Sequence, residues 1–123
     1  MVGKMQIKND NFQHTVLEYG QGRLFINKPE GASVHNQPCI DMCSLVETYL
    51  RTHAKVREKT LFDPDFGVNP VHRLDKETSG VMLLAVNQEA FQFFSRQFED
   101  RTVRKQYIAL LHGRLEQDRK SVV

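Results

Sequence analysis

The chain contains no tryptophan, only two cysteines and no long hydrophobic run. Because a membrane-spanning helix needs about 20 consecutive apolar residues, we expect none here. The N-terminal MVGKMQIKNDNF has no apolar stretch of the kind that a secretory signal peptide requires. Cys39 and Cys43 are too few for the disulfide framework of a small secreted protein, so reduced thiols are expected, with a disulfide or a metal pair as the alternative. These absences predict a cytoplasmic protein.

The chain also has little net charge. Its 17 Lys and Arg residues face 15 Asp and Glu residues, for a formal charge of +2. This balance excludes a polybasic nucleic-acid-binding tail, so any contact with nucleic acid must come from local patches. Residues 51–60 and 96–120 each carry an excess of three positive charges. Both stretches are candidates for following a phosphate backbone, and the alternative is a solvated surface.

A chain of 123 residues, 40% hydrophobic and 26% charged, has the size and composition of one globular domain. Residues 1–22 are polar with scattered apolar positions, and they are interpreted as a lead-in to a domain over residues 23–123. Within that domain the patterns alternate between short β-favouring runs and helical periodicity. They predict an α/β (α+β) fold in which one mixed, largely antiparallel sheet carries packed helices.

Each predicted element has a local signal. A strand begins at Arg23, and a helix capped by Asp41 or Ser44 ends near His53. The apolar run 81–86 is long enough for a strand buried on both faces. Asn87 is a candidate N-cap for a second helix. The phenylalanines spaced along one face of that helix are expected in the core: Phe91, Phe94 and Phe98. Alternation over 103–113 predicts a last strand.

The segment HRLDKETSG, residues 72–80, places an imidazole, a guanidinium and a carboxylate in one loop. Loops that rigid strands hold in place are where catalytic groups concentrate. The hydroxyls of Thr78 and Ser79 are able to tie such a loop to its own backbone. Taken from these residues alone, the alternative is a surface loop with a local salt bridge.

This segment resembles the signature H-R-L-D-x-x-T-S-G of the RluA-type pseudouridine synthases, and it matches all seven fixed positions. KPEG at 28–31 is similar to the family's upstream K-P-x-G loop. RTVRKQYIA at 101–109 is similar to its downstream R-x-V-x-K-x-Y-x-A segment. Three motifs in the same order are a specific signal. The resemblance implies the first half of the pseudouridine synthase fold over residues 23–113.

The resemblance also implies a reaction and its catalytic residues. In this family a uridine of ribosomal or transfer RNA loses its N1–C1′ bond and is rejoined to the ribose through C5. Asp75 would be the catalytic carboxylate. Attack on the base, attack on the sugar and proton abstraction all remain open for it. Tyr107 would be the second catalytic residue, packing on the uracil and taking part in proton transfer, its alternative being a half-buried strand tyrosine. No cofactor and no metal are implied.

The target uridine must leave the RNA stack before any side chain reaches it. By resemblance Arg73 would enter the gap, and its alternative is an ion pair with Asp75 or Glu77. His72 and Lys105 belong to the same RNA-binding set, and His72 is expected to order the loop by hydrogen bonding. Lys28 is interpreted as a loop or phosphate contact outside the catalytic set.

The family's later motifs, an R-x-H-Q-I-R-like segment and a basic partner for the catalytic carboxylate, are absent from these 123 residues. The chain is therefore predicted to be the N-terminal part of a catalytic domain. An unpaired strand edge in such a part would favour self-association. The alternative function is a non-enzymatic RNA-binding or interaction module built on the same fold.

Overall fold

The computed structural model describes residues 5–9, 11–35, 40–101 and 103–104. These residues form a five-stranded sheet in the order β1-β2-β3-β5-β4, in which every neighbouring pair is antiparallel. The predicted α+β class with a largely antiparallel sheet is confirmed. The elements are β1 (Met5–Lys8), β2 (Gln13–Gly20), β3 (Arg23–Lys28), α1 (Met42–Thr52), α2 (Ala54–Thr60), β4 (Asn69–Pro70), β5 (Gly80–Ala85) and α3 (Gln88–Glu99).

The predicted lead-in supplies two strands of this sheet. β1 is an edge strand paired with β2, and β2 is paired in turn with β3. Ile7 and Val16 from these strands are buried in the core. The register of β2 shifts between Val16 and Glu18, which leaves Leu17 48% exposed. This bulge interrupts the alternation of buried and exposed residues, so the sequence pattern did not indicate a strand.

One face of the sheet, the closed face, is covered by helix α1. The closed-face side chains of β3 and β5 recur at every second residue, as a strand requires. Those of α1 recur at helical spacing. All are fully buried in one cluster: Leu24, Ile26, Met82 and Leu84 from the strands, and Met42, Val46 and Leu50 from α1. This cluster is the hydrophobic core that fixes β3 and β5 relative to each other.

Helix α1 is capped by Asp41, whose Oδ1 accepts a hydrogen bond of 2.7 Å from the Ser44 backbone N–H. The choice between Asp41 and Ser44 as cap is therefore settled in favour of Asp41. At the other end, Arg57 donates to the carbonyl of Arg51 at 2.8 Å. Arg51 also pairs with Glu47 at 3.4 Å. Arg51 and Arg57 thus have structural roles, and a third basic residue of the 51–60 stretch, Lys59, lies over the Tyr19 ring with its Nζ 5.3 Å from the ring centre.

The other face of the sheet, the open face, carries α3. Asn87 caps this helix as predicted, and its Oδ1 accepts from the Ala90 backbone N–H at 2.9 Å. However, α3 has no buried residue, so the prediction that its phenylalanines lie in the core was too strong: all three are half-buried. Phe93 is 58% exposed. Val81 in β5 is 54% exposed, so the expectation of a strand buried on both faces was wrong at that position.

The predicted last strand, with Lys105 and Tyr107, lies outside the described residues except for its first two positions. Within the described ranges, no helix has the length and hydrophobicity needed to cross a membrane.

Candidate active site

Two loops leave the sheet side by side at the same end of the central strands β3 and β5. The register of β3 and β5 places Lys28, the last residue of β3, opposite Gly80, the first residue of β5. The loop that follows Lys28 and the HRLDKETSG loop that precedes β5 are therefore neighbours. Gly80 has a φ of +147°, and a Cβ there would lie 3.4 Å from the Leu74 side chain. The positive φ therefore favours glycine at this position more than the available space does.

The carbonyl of Lys76, next to Asp75, is held by two donors from the neighbouring loop. Lys28 Nζ donates to it at 2.9 Å, and the Gly31 backbone N–H donates to it at 2.8 Å. Gly31 has a φ of +87°, a left-handed conformation that favours glycine. Lys28 Nζ also donates to the Pro29 carbonyl at 3.0 Å. We call these contacts the Lys28 clamp, and they fix the loop immediately after Asp75.

Lys28 is fully buried, which identifies it as a loop contact and not as a phosphate contact. Burial lowers the pKa of its ammonium group, while the nearby carboxylates of Glu77 and Glu30 act in the opposite direction. Two carbonyl acceptors compensate part of the cost of burying this group. In the sequence, the K-P-x-G pattern at 28–31 was the feature that indicated a loop contact for Lys28.

His14 on β2 is a buried residue that sequence reasoning missed. Thr15 pairs with Asn27, so the same register places His14 opposite Lys28 on the closed face. Burial and the adjacent lysine lower its pKa from 6.5 to about 4, so the ring is neutral near pH 7. Within the described part of the chain, neither ring nitrogen has a hydrogen-bond partner. No motif in the sequence points to this residue.

Asp75 and Arg73 lie on the exposed side of the loop, and Leu74 between them packs against the core. The Asp75 carbonyl accepts a hydrogen bond of 3.0 Å from the Thr78 backbone N–H. The loop is therefore tied through its main chain at the place where hydroxyl bonds were expected. Among the described residues, Arg73 forms no ion pair within 4 Å, so neither Asp75 nor Glu77 holds it. Both functional groups are open to a ligand.

His72 is half-buried beside an apolar groove that it helps to line. Its Nε2 accepts a hydrogen bond of 3.1 Å from the Leu83 backbone N–H on β5. Its ring stacks on Phe98 of α3, with the ring centres 4.9 Å apart and the planes 21° apart. His72 thus contacts both β5 and α3.

A groove of about 840 Å³ lies on the open face beside the loop. Its walls are mainly aromatic and aliphatic side chains from β3, β5 and α3, with polar groups from the loop and from the end of the described chain. Neither Arg73 nor Asp75 is one of the described residues that line it. The lining includes Phe25, Leu74, Thr78, Ser79, Val81, Phe93, Phe94, Phe98 and Arg104.

The described residues bring together no group of three or more His, Cys, Asp or Glu side chains able to hold a metal ion. Cys43 is a buried free thiol, and Cys39 lies outside the described residues. Burial, together with Asp41 and Glu47, raises the pKa of Cys43 to about 12. Its thiol is therefore protonated and unreactive at neutral pH.

Residues 23–122 match the sequence family described as RNA pseudouridylate synthase. The chain belongs to this family. Ribosomal large subunit pseudouridine synthase C of Buchnera aphidicola is 35% identical over 103 residues, which cover 84% of this chain and 30% of that protein. The dual-specificity RNA pseudouridine synthase RluA of Pasteurella multocida is 35% identical over 109 residues, or 87% of this chain and 44% of the relative. The resemblance inferred from the three motifs is confirmed.

Two further comparisons agree with this assignment. tRNA pseudouridine synthase C of Haemophilus ducreyi is 34% identical over 90 residues, which cover 73% of this chain and 33% of the relative. The solved structure of human RNA pseudouridylate synthase domain containing 4 superposes with a TM-score of 0.57 at 27% identity, over 74% of this chain and 31% of that one. The chain thus spans between 30% and 44% of the length of these curated relatives.

Proposed function

We propose that residues 23–123 form the N-terminal part of the catalytic domain of an RNA pseudouridine synthase. The proposed substrate is a uridine in structured ribosomal or transfer RNA, the two classes for which its relatives are named. The proposed location is the cytoplasm. Self-association through an unpaired strand edge stays a prediction.

The observation that carries this proposal is the exposed carboxylate of Asp75 on a loop held by the Lys28 clamp. An ionisable group that performs chemistry must be accessible to the substrate and also fixed in position. Asp75 is exposed at the loop surface, and the carbonyl of the next residue accepts two hydrogen bonds from the neighbouring loop. Membership of the RNA pseudouridylate synthase family indicates the reaction in which such a carboxylate is proposed to act.

In the proposed reaction the N1–C1′ bond breaks, the uracil turns, and a C5–C1′ bond forms. The hydrogen on C5 leaves as a proton and N1 gains a proton, so uridine and pseudouridine are isomers. The Asp75 carboxylate acts either as a nucleophile or as a negative charge that stabilises positive charge developing at C1′.

RNA binding is proposed to involve Arg73 and Lys105, whereas Tyr107 is proposed to act with Asp75 in the catalytic site. Arg73 is exposed, and a planar guanidinium is able both to stack in the gap left by the everted uridine and to contact phosphates. Tyr107 is proposed to pack on the uracil. Lys55 and Lys59 are exposed on α2 and are proposed to contact phosphates farther along the RNA.

The test is release of tritium from RNA labelled at C5 of uridine. It is run with the 123-residue chain and with the product of its full reading frame. We expect release by the full product, and we expect Asp75→Asn to reduce it by about 10³-fold or more while RNA binding is retained. Binding of RNA without release by the full product would reject the enzyme and favour the RNA-binding module.

A further inference from the structure

The pairing between β4 and β5 ends in an unusual hydrogen bond. The register places Pro70 opposite Leu84, so the next pair is Val71 and Leu83. Val71 N–H donates to the Leu83 carbonyl at 3.1 Å. In a regular antiparallel pair of this type, the Leu83 N–H would donate to the Val71 carbonyl in return. It donates instead to Nε2 of His72 at 3.1 Å.

The imidazole of His72 therefore takes the place of a main-chain carbonyl in the sheet. Because the side chain satisfies the Leu83 N–H, the main chain is released from β5 directly after Val71. We propose that His72 is a positioning residue, whose hydrogen bond to β5 sets the point at which the Arg73–Asp75 segment leaves the sheet. The catalytic consequence of this inference rests on the proposed function, whereas the anchoring itself does not.

The hydrogen bond also defines the protonation state of the ring. An Nε2 atom that accepts a hydrogen bond carries a lone pair, so the ring is neutral and its proton is on Nδ1. In this state His72 offers neither a positive charge to an RNA phosphate nor a proton from Nε2. The geometry thus favours anchoring over the alternative of a direct RNA contact.

Asp75 lies between two anchors. His72 is three residues before it, and Lys76, held by the Lys28 clamp, is one residue after it. The first anchor is reinforced by the stack of His72 on Phe98, which joins the loop to α3. With only three residues between the anchored positions, the backbone has little freedom to change the direction of the Asp75 side chain.

Two variants test separately the hydrogen-bond acceptor and the stacked ring of His72. His72→Gln keeps an acceptor oxygen close to the position of Nε2, whereas His72→Phe keeps an aromatic ring for Phe98 but has no acceptor. Amide hydrogen exchange at Leu83 is measured in the 123-residue chain. We expect exchange about tenfold faster in His72→Phe, since a half-buried N–H loses its partner, and near-wild-type exchange in His72→Gln. Equal exchange in wild type and His72→Phe would overturn the proposal.

The wild-type chain provides a check that does not depend on how the variants fold. Its imidazole ¹⁵N shifts should show a protonated Nδ1 and an unprotonated Nε2 for His72. A protonated Nε2 would contradict the proposal.

The functional consequence is measured with the protein that releases tritium. His72→Phe should lower kcat about tenfold and leave KM for RNA within about twofold, and His72→Gln should restore most of kcat. A rise in KM alone would indicate an RNA contact and overturn the positioning role. If the wild-type protein shows no turnover, the proposed function fails, and the exchange and ¹⁵N results alone decide whether His72 anchors the loop.

Discussion

The two faces of the sheet differ in how completely they are covered. On the closed face, the inward side chains of β3, β5 and α1 are fully buried in one cluster. On the open face, α3 has no buried residue, and Val81 and Phe93 are each more than half exposed. The same two central strands therefore have a finished hydrophobic core on one side and an apolar groove on the other.

This difference explains how the loop is supported. Lys28 reaches the Lys76 carbonyl from the closed face, where β3 is held rigidly by the core. His72 reaches α3 on the open face, where packing is looser. The position of Asp75 thus depends on contacts from both faces of the sheet. The free energy of unfolding should depend mainly on the closed face, whereas the order of the loop should depend on both faces.

The largest expected effect is on the closed face of β5. Leu84→Ala should lower the free energy of unfolding by about 3 kcal/mol, because it leaves a cavity in the core. Val81→Thr, three residues earlier on the open face, should change it by no more than about 0.5 kcal/mol. Urea denaturation of both variants measures the contrast. Similar losses in the two variants would show that the open face is covered in solution.

A smaller effect concerns the pH dependence of stability. The pKa of His14 is about 4 in the folded chain, against an ordinary value of 6.5. Between these values the unfolded chain takes up a proton that the folded chain does not, so the free energy of unfolding falls as the pH falls through this window. From about pH 7.5 to about pH 4.5, His14 should account for a loss of about 2 kcal/mol.

His14→Leu isolates this contribution from that of the carboxylates, which titrate in part of the same range. Because the His14 ring forms no hydrogen bond within the described residues, its replacement by leucine should not destabilise the chain near neutral pH. Denaturant titrations at both pH values compare the variant with wild type. An identical loss of stability in the two proteins would show that His14 is accessible to protons in the folded state.

The smallest expected effects are those of the two helix caps. Asp41→Ala and Asn87→Ala each remove a side-chain acceptor at a helix N-terminus, worth about 1 kcal/mol. Loss of the α1 cap should lower the stability of the whole sheet, since α1 covers the closed face. Loss of the α3 cap should accelerate hydrogen exchange within α3 and leave the global unfolding midpoint nearly unchanged. Equal shifts of the midpoint would show that α3 folds cooperatively with the core.

Local signals in the sequence predicted the features that depend on neighbouring residues. The cap at Asn87 and the strand at Arg23 follow from side-chain chemistry and periodicity, and the structure contains both. The HRLDKETSG motif located the loop and its outward Asp75. Burial on the open face was not predictable in this way, because the exposure of Val81 depends on what covers the strand and not on the strand itself.

The burial of Lys28 likewise was not predictable from its neighbours in the sequence. A lysine at the end of a strand has the pattern of a surface residue, and its burial requires carbonyl acceptors at the right place. One of these, the carbonyl of Lys76, lies 48 residues later in the sequence and reaches Lys28 only after the sheet has formed. The bulge at Leu17 likewise concealed β2, since it broke the two-residue period.

The central claim is that Asp75 performs the chemistry while the rest of the loop holds it. Glu77 provides a matched control, because it is a second exposed carboxylate in the same loop. Single-turnover conversion of C5-tritiated uridine in RNA should fall by about 10³-fold or more in Asp75→Asn and by no more than about threefold in Glu77→Gln. Equal losses in the two variants, or unchanged conversion in Asp75→Asn, would contradict the account.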